Sequence, residues 1–285
     1  MLSVAAAEGL LGGPVTEVPA GVDWRTVSLG VLECSWTRDQ PDDAGHTRDI
    51  RVAAFPTAVV DGSTKAKYVA PVCEQDYDVA LCRVAVTEGG HWLLVETGAI
   101  DYQMTEPIPA YLPLAAKALA DSASRFEPAE PYSPGIPADP MDCTVLGDHI
   151  DVATAVGEAA QPGFPTGGVN SSTSAQIAIS AGVYQWCAWT VYDIPNSLPY
   201  VWYDIYPFDG WMWQEFTKAD RGPVEPVTVP GATHAVQRVG LTEGEWMAVT
   251  DGTIVITLSG DDGVDIREAA ARMLAAVGGN DRAAR

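Results

Sequence analysis

The chain has 285 residues, of which 47% are hydrophobic, and its formal net charge is −22. This length favours two domains over one, and the apolar content is sufficient for two cores. The acidic excess opposes contact with a phosphate backbone, so we expect no nucleic-acid partner.

The sequence also argues against a membrane span. No apolar run approaches the ~20 residues that a transmembrane helix requires, so we expect no transmembrane segment. The opening residues MLSVAAAEGLLGG lack a basic region and are interrupted by glycine, which is not typical of a signal peptide. Two interpretations follow. Either the chain is cytoplasmic, or the sequence begins after a targeting segment has been removed.

Hydrophobic periodicity in the first half predicts an α+β unit. In chain order the predicted elements are a helix at Val4–Leu11, strands near 27–37 and 48–56, a three-strand meander near 79–87, 91–97 and 99–104, and a closing helix over 109–123. The closing helix carries one apolar stripe, formed by Leu112, Ala115, Ala116 and Leu119. We expect this stripe to cover one face of the sheet.

A proline-rich segment, PAEPYSPGIPADP, follows at residues 128–140. Its prolines recur every third residue, at Pro128, Pro131, Pro134, Pro137 and Pro140. Three residues per turn is the period of a polyproline II helix, so we predict a stiff spacer between two domains. The alternatives are a strap packed on the surface and a docking site for a domain that binds polyproline II segments.

The second half repeats the plan of the first. Its predicted elements are a helix at 152–157, strands near 182–193 and 200–207, a meander near 235–242, 245–250 and 253–258, and a closing helix over 265–279. The stripe of that helix comprises Ile266, Ala270, Met273, Leu274 and Val277. Asp265 is a suitable N-cap for it, and Asp251-Gly252 predicts a tight hairpin turn.

Short segments recur in both halves in the same order, which indicates a duplication. Cys34-Ser-Trp36-Thr37 matches Cys187-Ala-Trp189-Thr190 at an offset of 153 residues. Residues 50–56 match 201–207, and residues 87–98 match 242–252, which places Trp92 over Trp246.

We therefore predict an α+β fold with two similar tandem domains. Each is expected to be an antiparallel sheet with a short N-terminal helix and a C-terminal covering helix. The predicted domains are residues 1–127 and 141–280, joined by the linker at 128–140. The N-terminal part of the first repeat is expected to be incomplete relative to the second.

The five cysteines favour two disulfides and one leftover thiol. Cys187 has a suitable partner in Cys143, whereas the position equivalent to Cys143 in the first repeat falls before the start of the sequence. Cys73 and Cys82 can close a small loop. Cys34 is then an odd thiol, or it competes for one of those two. The alternative is five reduced cysteines in a cytosolic protein.

The second repeat resembles a known family. DCTVLGDHIDVATAVG, then CAWTVYD, VPGATHAV, a glycine-turn hairpin and a terminal alanine-rich helix are similar to small cell-envelope lipoprotein domains of unknown function from high-GC actinobacteria. The first repeat matches more loosely, so the chain is expected to be a tandem pair. The resemblance implies an exported protein in an oxidising, extracytoplasmic compartment. It implies no catalytic residues, and this chain lacks the signal peptide and the lipobox cysteine of the family.

Motifs for catalysis or metal binding are missing from the sequence. Its four histidines have no metal-ligand spacing, and it has no P-loop, nucleophile elbow or dinucleotide fingerprint. Zinc-type Cys-x-x-Cys spacing is also absent. We therefore expect no cofactor and no metal, and we name no catalytic residue.

Aromatic residues concentrate in one region, because twelve of the 24 lie within residues 184–216. Strand alternation places Trp202 and Tyr206 on one face. The matching positions of the first repeat are Arg51 and Phe55, so the shared fold does not require both rings. The predicted partner-binding residues are Trp202, Tyr206, Phe208, Trp211 and Trp213. The alternative is that these rings pack under the following loop or against the other repeat.

Three functions remain open at this point. The leading hypothesis is a non-catalytic binding or assembly module of the cell envelope that contacts a protein or a glycan through this aromatic surface. The second is a soluble carrier of a small apolar or glycan ligand. The third is an enzyme of unrecognised class.

Overall fold

The structure is a computed structural model. It describes residues 3–18, 27–40, 49–76, 79–100, 111–123, 143–156, 160–163, 173–191, 200–207, 210–218, 222–238, 245–260 and 265–277. The proline-rich segment predicted at 128–140 lies outside these residues. The chain divides into two compact units, one comprising Met1–Ser133 with Gly167–Ala181 and the other Pro134–Thr166 with Gly182–Arg285.

The described residues form thirteen strands and eight α-helices. The first half contains α1 (Val4–Leu11), β1 (Val15–Val18), β2 (Leu32–Arg38), β3 (Asp49–Pro56), α2 (Gly62–Lys67), β4 (Val72–Asp76), β5 (Val79–Glu88), β6 (His91–Ile100) and α3 (Tyr111–Ser122). The second half contains α4 (Cys143–Ile150), α5 (Val152–Val156), β7 (Ala160–Gly163), α6 (Thr173–Ser180), β8 (Gln185–Val191), β9 (Tyr200–Pro207), α7 (Gly210–Phe216), β10 (Val224–Pro226), β11 (His234–Arg238), β12 (Glu245–Thr250), β13 (Ile254–Gly260) and α8 (Ile266–Val277).

The two units have the same strand order. The first sheet has six strands in the order β1-β2-β3-β6-β5-β4, and the second has seven in the order β7-β8-β9-β13-β12-β11-β10. Every described strand pair is antiparallel. The outer strand β10 is the addition in the second unit. The prediction of an α+β chain with two similar antiparallel units is therefore confirmed.

One of the sequence matches is wrong by one strand. In chain order, Trp92 lies on the last strand of the first sheet, β6. Trp246 lies on β12, which precedes the last strand of the second sheet, β13. The counterpart of Trp92 is therefore on β13. The predicted meander of the first unit is shifted for the same reason, because its first strand is β4 and β6 runs without a break to Ile100. Residues 101–104 of the strand predicted at 99–104 lie outside the described residues.

The hydrophobic core of the first unit lies between one face of its sheet and the helices α1 and α3. The α3 residues of the predicted stripe, Leu112, Ala115, Ala116 and Leu119, are all buried. They pack against sheet residues of the same cluster, among them Trp36, Val52, Val84 and Val95. The period of the stripe matches the helix, so burial of one face follows directly from the sequence.

The second core is built in the same way from α4, α5 and α8. All five residues of the predicted α8 stripe are buried, and Asp265 Oδ1 accepts hydrogen bonds from the backbone N–H groups of Arg267 and Glu268. Trp189 stacks on Tyr203 in this core, with ring centroids 5.3 Å apart. A Cβ atom at Gly147 of α4 would lie 2.7 Å from Trp189 Nε1, so only glycine fits there.

Both predicted disulfides are present. Cys143 of α4 is bonded to Cys187 of β8, and Cys73 of β4 is bonded to Cys82, its direct partner on β5. Cys34 is the free cysteine, as predicted, and burial followed by the charge of Glu17 raises the pKa of its thiol. The two disulfides indicate an oxidising, extracytoplasmic compartment. No helix among the described residues is long and apolar enough to cross a membrane.

Candidate functional site

Each sheet has a second face, opposite to the one that forms the hydrophobic core. Side chains alternate along a strand, so the residues between the core residues belong to this second face, which we call the outer face. On β3 the outer-face residues include Arg51 and Phe55, and on β9 they include Trp202 and Tyr206. The two outer faces differ strongly in chemistry.

The outer face of the first unit carries a chain of ion pairs across five strands. We call it the charge ladder, and its members are Glu33, Arg51, Glu96, Arg83, Glu74 and Lys67. The nitrogen–oxygen distances along it are 3.1 Å for Glu33–Arg51, 3.7 Å for Arg51–Glu96, 2.6 Å for Glu96–Arg83, 2.9 Å for Arg83–Glu74 and 2.8 Å for Glu74–Lys67. Opposite charges alternate throughout, so each member has a partner.

The centre of the charge ladder is buried. Arg83 is 5% exposed and Glu96 is 8% exposed. Burial alone would lower the pKa of Arg83, but the charge and hydrogen bond of Glu96, with Glu74 and Tyr68, outweigh it and raise that pKa. Burial of a charged guanidinium costs free energy, and the carboxylate partner compensates for that cost. The ladder thus satisfies its own charges and offers few groups to a ligand.

The second unit replaces the charge ladder with indole rings at equivalent positions. Arg51 lies opposite Glu96 across β3 and β6, and Trp202 lies opposite Ser259 across β9 and β13. Arg83 on β5 likewise lies opposite Glu96, and Trp246 on β12 lies opposite Ser259. Trp202 and Trp246 therefore occupy the positions of Arg51 and Arg83, and Ser259 occupies that of Glu96. The remaining counterpart follows from the Cys-x-Trp match, which places Trp186 at the position of Glu33.

We call Trp186, Trp202 and Trp246, with Ser259 between the last two, the indole row. Neighbouring strands lie ~4.8 Å apart, so the backbones at Trp202 and Trp246 are ~10 Å apart across β13. Trp202 is 37% exposed, and the other three residues are part-buried. Ser259 therefore separates Trp202 from Trp246 across β13, whereas Trp186 lies opposite Asp204, diagonally across from Trp202.

The rest of this outer face is covered by α7. Phe216 of α7 packs against Tyr206, with ring centroids 5.9 Å apart, and against Trp246 at 6.2 Å. Tyr184 packs on the other side of Tyr206 at 5.4 Å. Tyr206 is consequently only 8% exposed, and part of the predicted aromatic surface is internal packing.

Arg238 fixes both α7 and Trp246. Its guanidinium nitrogens donate to the backbone carbonyl oxygens of Phe216 (3.1 Å), Lys218 (3.1 Å) and Gly222 (3.3 Å). Its Cζ atom lies 4.8 Å from the ring centroid of Trp246. The cation thus binds the carboxyl end of α7, where carbonyl groups are unpaired, and holds the indole in place.

We expect Arg238→Ala to loosen α7 and to lower the free energy of unfolding of the second unit by about 2–3 kcal/mol, since hydrogen bonds to a charged group are lost from a buried site. Urea unfolding monitored by tryptophan fluorescence measures this loss. Arg267→Ala is the control, because Arg267 makes one described side-chain hydrogen bond, to Gln237, and lies on the exposed side of α8. An equal loss in both variants would contradict the role assigned to Arg238.

Asp204 lies beside the indole row on β9. Its Oδ1 atom accepts a hydrogen bond from the hydroxyl group of Tyr184, and its Oδ2 atom accepts one from Thr257 Oγ1 at 3.3 Å. Both carboxylate oxygens are therefore engaged by neighbouring side chains. Asp204 thus links Tyr184 and Thr257 on the outer face.

The predicted site residues are distributed as follows. Trp202 is the exposed member, Tyr206 is buried under α7, and Trp213 is part-buried with its ring 5.9 Å from that of His234. Phe208 and the side chain of Trp211 lie outside the described residues. The sequence interpretation missed Trp186, Trp246 and Ser259. Alternation along β8 and β12 could have placed the two tryptophans, but only the pairing register brings them next to Trp202.

Among the described residues, no group of three or more His, Cys, Asp or Glu side chains is arranged to hold a metal ion. The chain matches no model of a protein family, no curated protein and no solved structure.

Proposed function

We propose that the chain is a non-catalytic, extracytoplasmic binding or assembly module of the cell envelope, and that it contacts a protein or glycan partner through the indole row. The observation that carries the proposal is the exchange of Glu33, Arg51 and Arg83 for tryptophan between two units of the same strand order. The fold needs no ring at these positions, because the first unit folds around ions there.

An exposed tryptophan offers a large contact area with few rotatable bonds, so little conformational entropy is lost when it binds. Such residues are over-represented among those that dominate binding energy. The sheet below the row holds its residues in position, and Arg238 fixes the ring of Trp246, which lowers the entropy cost of binding. Placement in the cell envelope is supported by the two disulfides and by the sequence resemblance described above.

The test is capture of a partner from an envelope extract by the immobilised full chain with its disulfides intact. We expect Trp202→Ala to lower capture at least tenfold, which corresponds to the loss of more than about 1.4 kcal/mol of binding free energy. Arg51→Ala is the matched control, since Arg51 occupies the same position in the first unit, and it should capture as well as the wild type. Equal capture by Trp202→Ala, or a loss confined to Arg51→Ala, would contradict the proposal.

A further inference from the structure

We infer that the outer edge of β1 pairs with β1 of a second copy of this chain, which joins the two six-stranded sheets into one across a two-fold axis. The inference goes beyond the proposed function and does not depend on the indole row. It rests on three observations: the direction of the backbone groups of β1, the prolines on the edge strands of the second sheet, and a register in which β1 is complementary to itself.

Two residues of β1 direct their backbone groups away from the sheet. The N–H group of Asp39 donates to the carbonyl oxygen of Pro14, so the hydrogen-bonded pairs of β1 with β2 fall at every second residue from there. Val15 and Glu17 occupy the positions between these pairs, and their N–H and C=O groups therefore point outward. Among the residues that the structure describes, no backbone group pairs with this edge.

The second sheet carries a proline on each of its edge strands, where the first sheet carries none. Pro162 on β7 lies opposite Trp189, and Glu17 on β1 lies opposite Trp36, the counterpart of Trp189. Pro162 thus occupies the position of Glu17 and removes its outward N–H group. Pro226 lies on the other edge strand, β10. Such prolines prevent edge strands from pairing, so the duplicated units differ in that this edge is blocked in one and open in the other.

The open edge is complementary to itself when an antiparallel copy places Val15 opposite Glu17. Each of these residues then exchanges two hydrogen bonds with its partner, and all outward backbone groups of β1 are satisfied. Thr16 faces its own copy, which is a favourable cross-strand pair, and Val18, which is 41% exposed, is covered by Pro14. In this register neither Glu17 lies opposite another carboxylate.

The distribution of charge selects β1 over the other edge of the first sheet. β4 carries both Glu74 and Asp76 within its five residues, whereas Glu17 is the one charged residue of β1. The net charge of −22 on each copy opposes association at long range, and salt screens this repulsion. The dimer should therefore become tighter as the ionic strength rises, which is the opposite of association through ion pairs.

The test is sedimentation velocity of the full, oxidised chain from micromolar to millimolar concentration at low and at high salt. We expect a monomer–dimer equilibrium that shifts toward the dimer with both. Glu17→Pro should raise the dissociation constant about tenfold or more, because each copy loses one outward donor. The sheet should tolerate this change, since Pro162 occupies the same position in the second unit. Glu17→Gln is the matched control, because it keeps the N–H group, and it should dimerise at least as well as the wild type.

Amide hydrogen exchange of the wild-type chain locates the interface without any substitution. Exchange at Val15 and Glu17 should slow as the dimer forms, whereas Thr16 and Val18 are protected by β2 at every concentration. A chain that stays monomeric at millimolar concentration and high salt would overturn the inference. So would a dimer that Glu17→Pro does not weaken, or one that leaves exchange at Val15 and Glu17 unchanged. None of these outcomes bears on capture through Trp202, so the proposed function is tested separately.

Discussion

Replacing Glu96 with alanine should destabilise the first unit by about 3–5 kcal/mol, because it leaves the guanidinium of Arg83 buried without its carboxylate. Arg83 is 5% exposed and Glu96 accepts its hydrogen bond at 2.6 Å, so water cannot readily replace the lost partner. Glu74 remains as a second partner at 2.9 Å, but its side chain is nearly half exposed, so we expect it to compensate only in part. Equilibrium unfolding in urea gives the change in free energy.

Glu33→Ala is the control for this prediction. Glu33 pairs with Arg51, and their side chains are 15% and 45% exposed, so loss of this more solvated pair should cost less, about 1 kcal/mol. The comparison tests whether the buried ion pair of Arg83 and Glu96 contributes more to the free energy of unfolding than the more solvated pair of Arg51 and Glu33. Equal losses in the two variants would contradict a dependence on burial, and a negligible loss in Glu96→Ala would show that the charge ladder contributes little to stability.

Removal of the Cys143–Cys187 disulfide should destabilise the second unit by about 4 kcal/mol. The bond closes a loop of 44 residues in sequence, and opening it restores chain entropy to the unfolded state. The Cys73–Cys82 bond spans only 9 residues, so its removal should cost less, about 3 kcal/mol. Thermal unfolding of Cys143→Ala/Cys187→Ala and of Cys73→Ala/Cys82→Ala measures the two losses.

Cys34→Ala serves as the control for both double variants, because Cys34 forms no disulfide. It should melt close to the wild type under oxidising conditions. Non-reducing peptide mapping must also recover both bonds from the wild-type chain. Recovery of five free thiols after expression under oxidising conditions would remove the disulfides and the main support for an extracytoplasmic location.

Much of the fold could be predicted from periodicity and internal matches. The α3 and α8 stripes have helical spacing, and each buries the residues that the pattern selects. The repeated Cys-x-Trp segment lies on equivalent strands, β2 and β8, and its tryptophans Trp36 and Trp189 are core residues in both units. These features are local, so a single sequence is enough to find them.

Features that depend on contacts distant in sequence could not be predicted in the same way. The match of Trp92 with Trp246 failed because the same short sequence, Thr-Glu-Gly followed by tryptophan, leads into β6 in the first unit and into β12 in the second. Likewise, Tyr206 was assigned to an exposed surface because alternation reveals its face but not the helix that covers it. The short helices α2, α4, α6 and α7 are not predicted by the sequence pattern, since none of them carries a long apolar stripe.

The indole row itself illustrates this limit. Trp186, Trp202 and Trp246 are separated by up to 60 residues in sequence, and the pairing of β8, β9, β13 and β12 brings them onto one face of the sheet. Composition showed that aromatic residues are concentrated near β8 and β9. The pairing register was needed to show that Ser259 separates two of the rings and that the charge ladder occupies the same positions in the first unit.

The central claim is that Trp202, the exposed member of the indole row, is a surface residue that the fold does not need. It is tested most directly by the free energies of unfolding of Trp202→Ala and Trp189→Ala. Trp202 is 37% exposed, so its loss should cost about 1 kcal/mol, whereas Trp189 is fully buried and its loss should cost about 3–5 kcal/mol. A loss of similar size in both variants would show that Trp202 is core packing, and the binding site proposed here would be withdrawn.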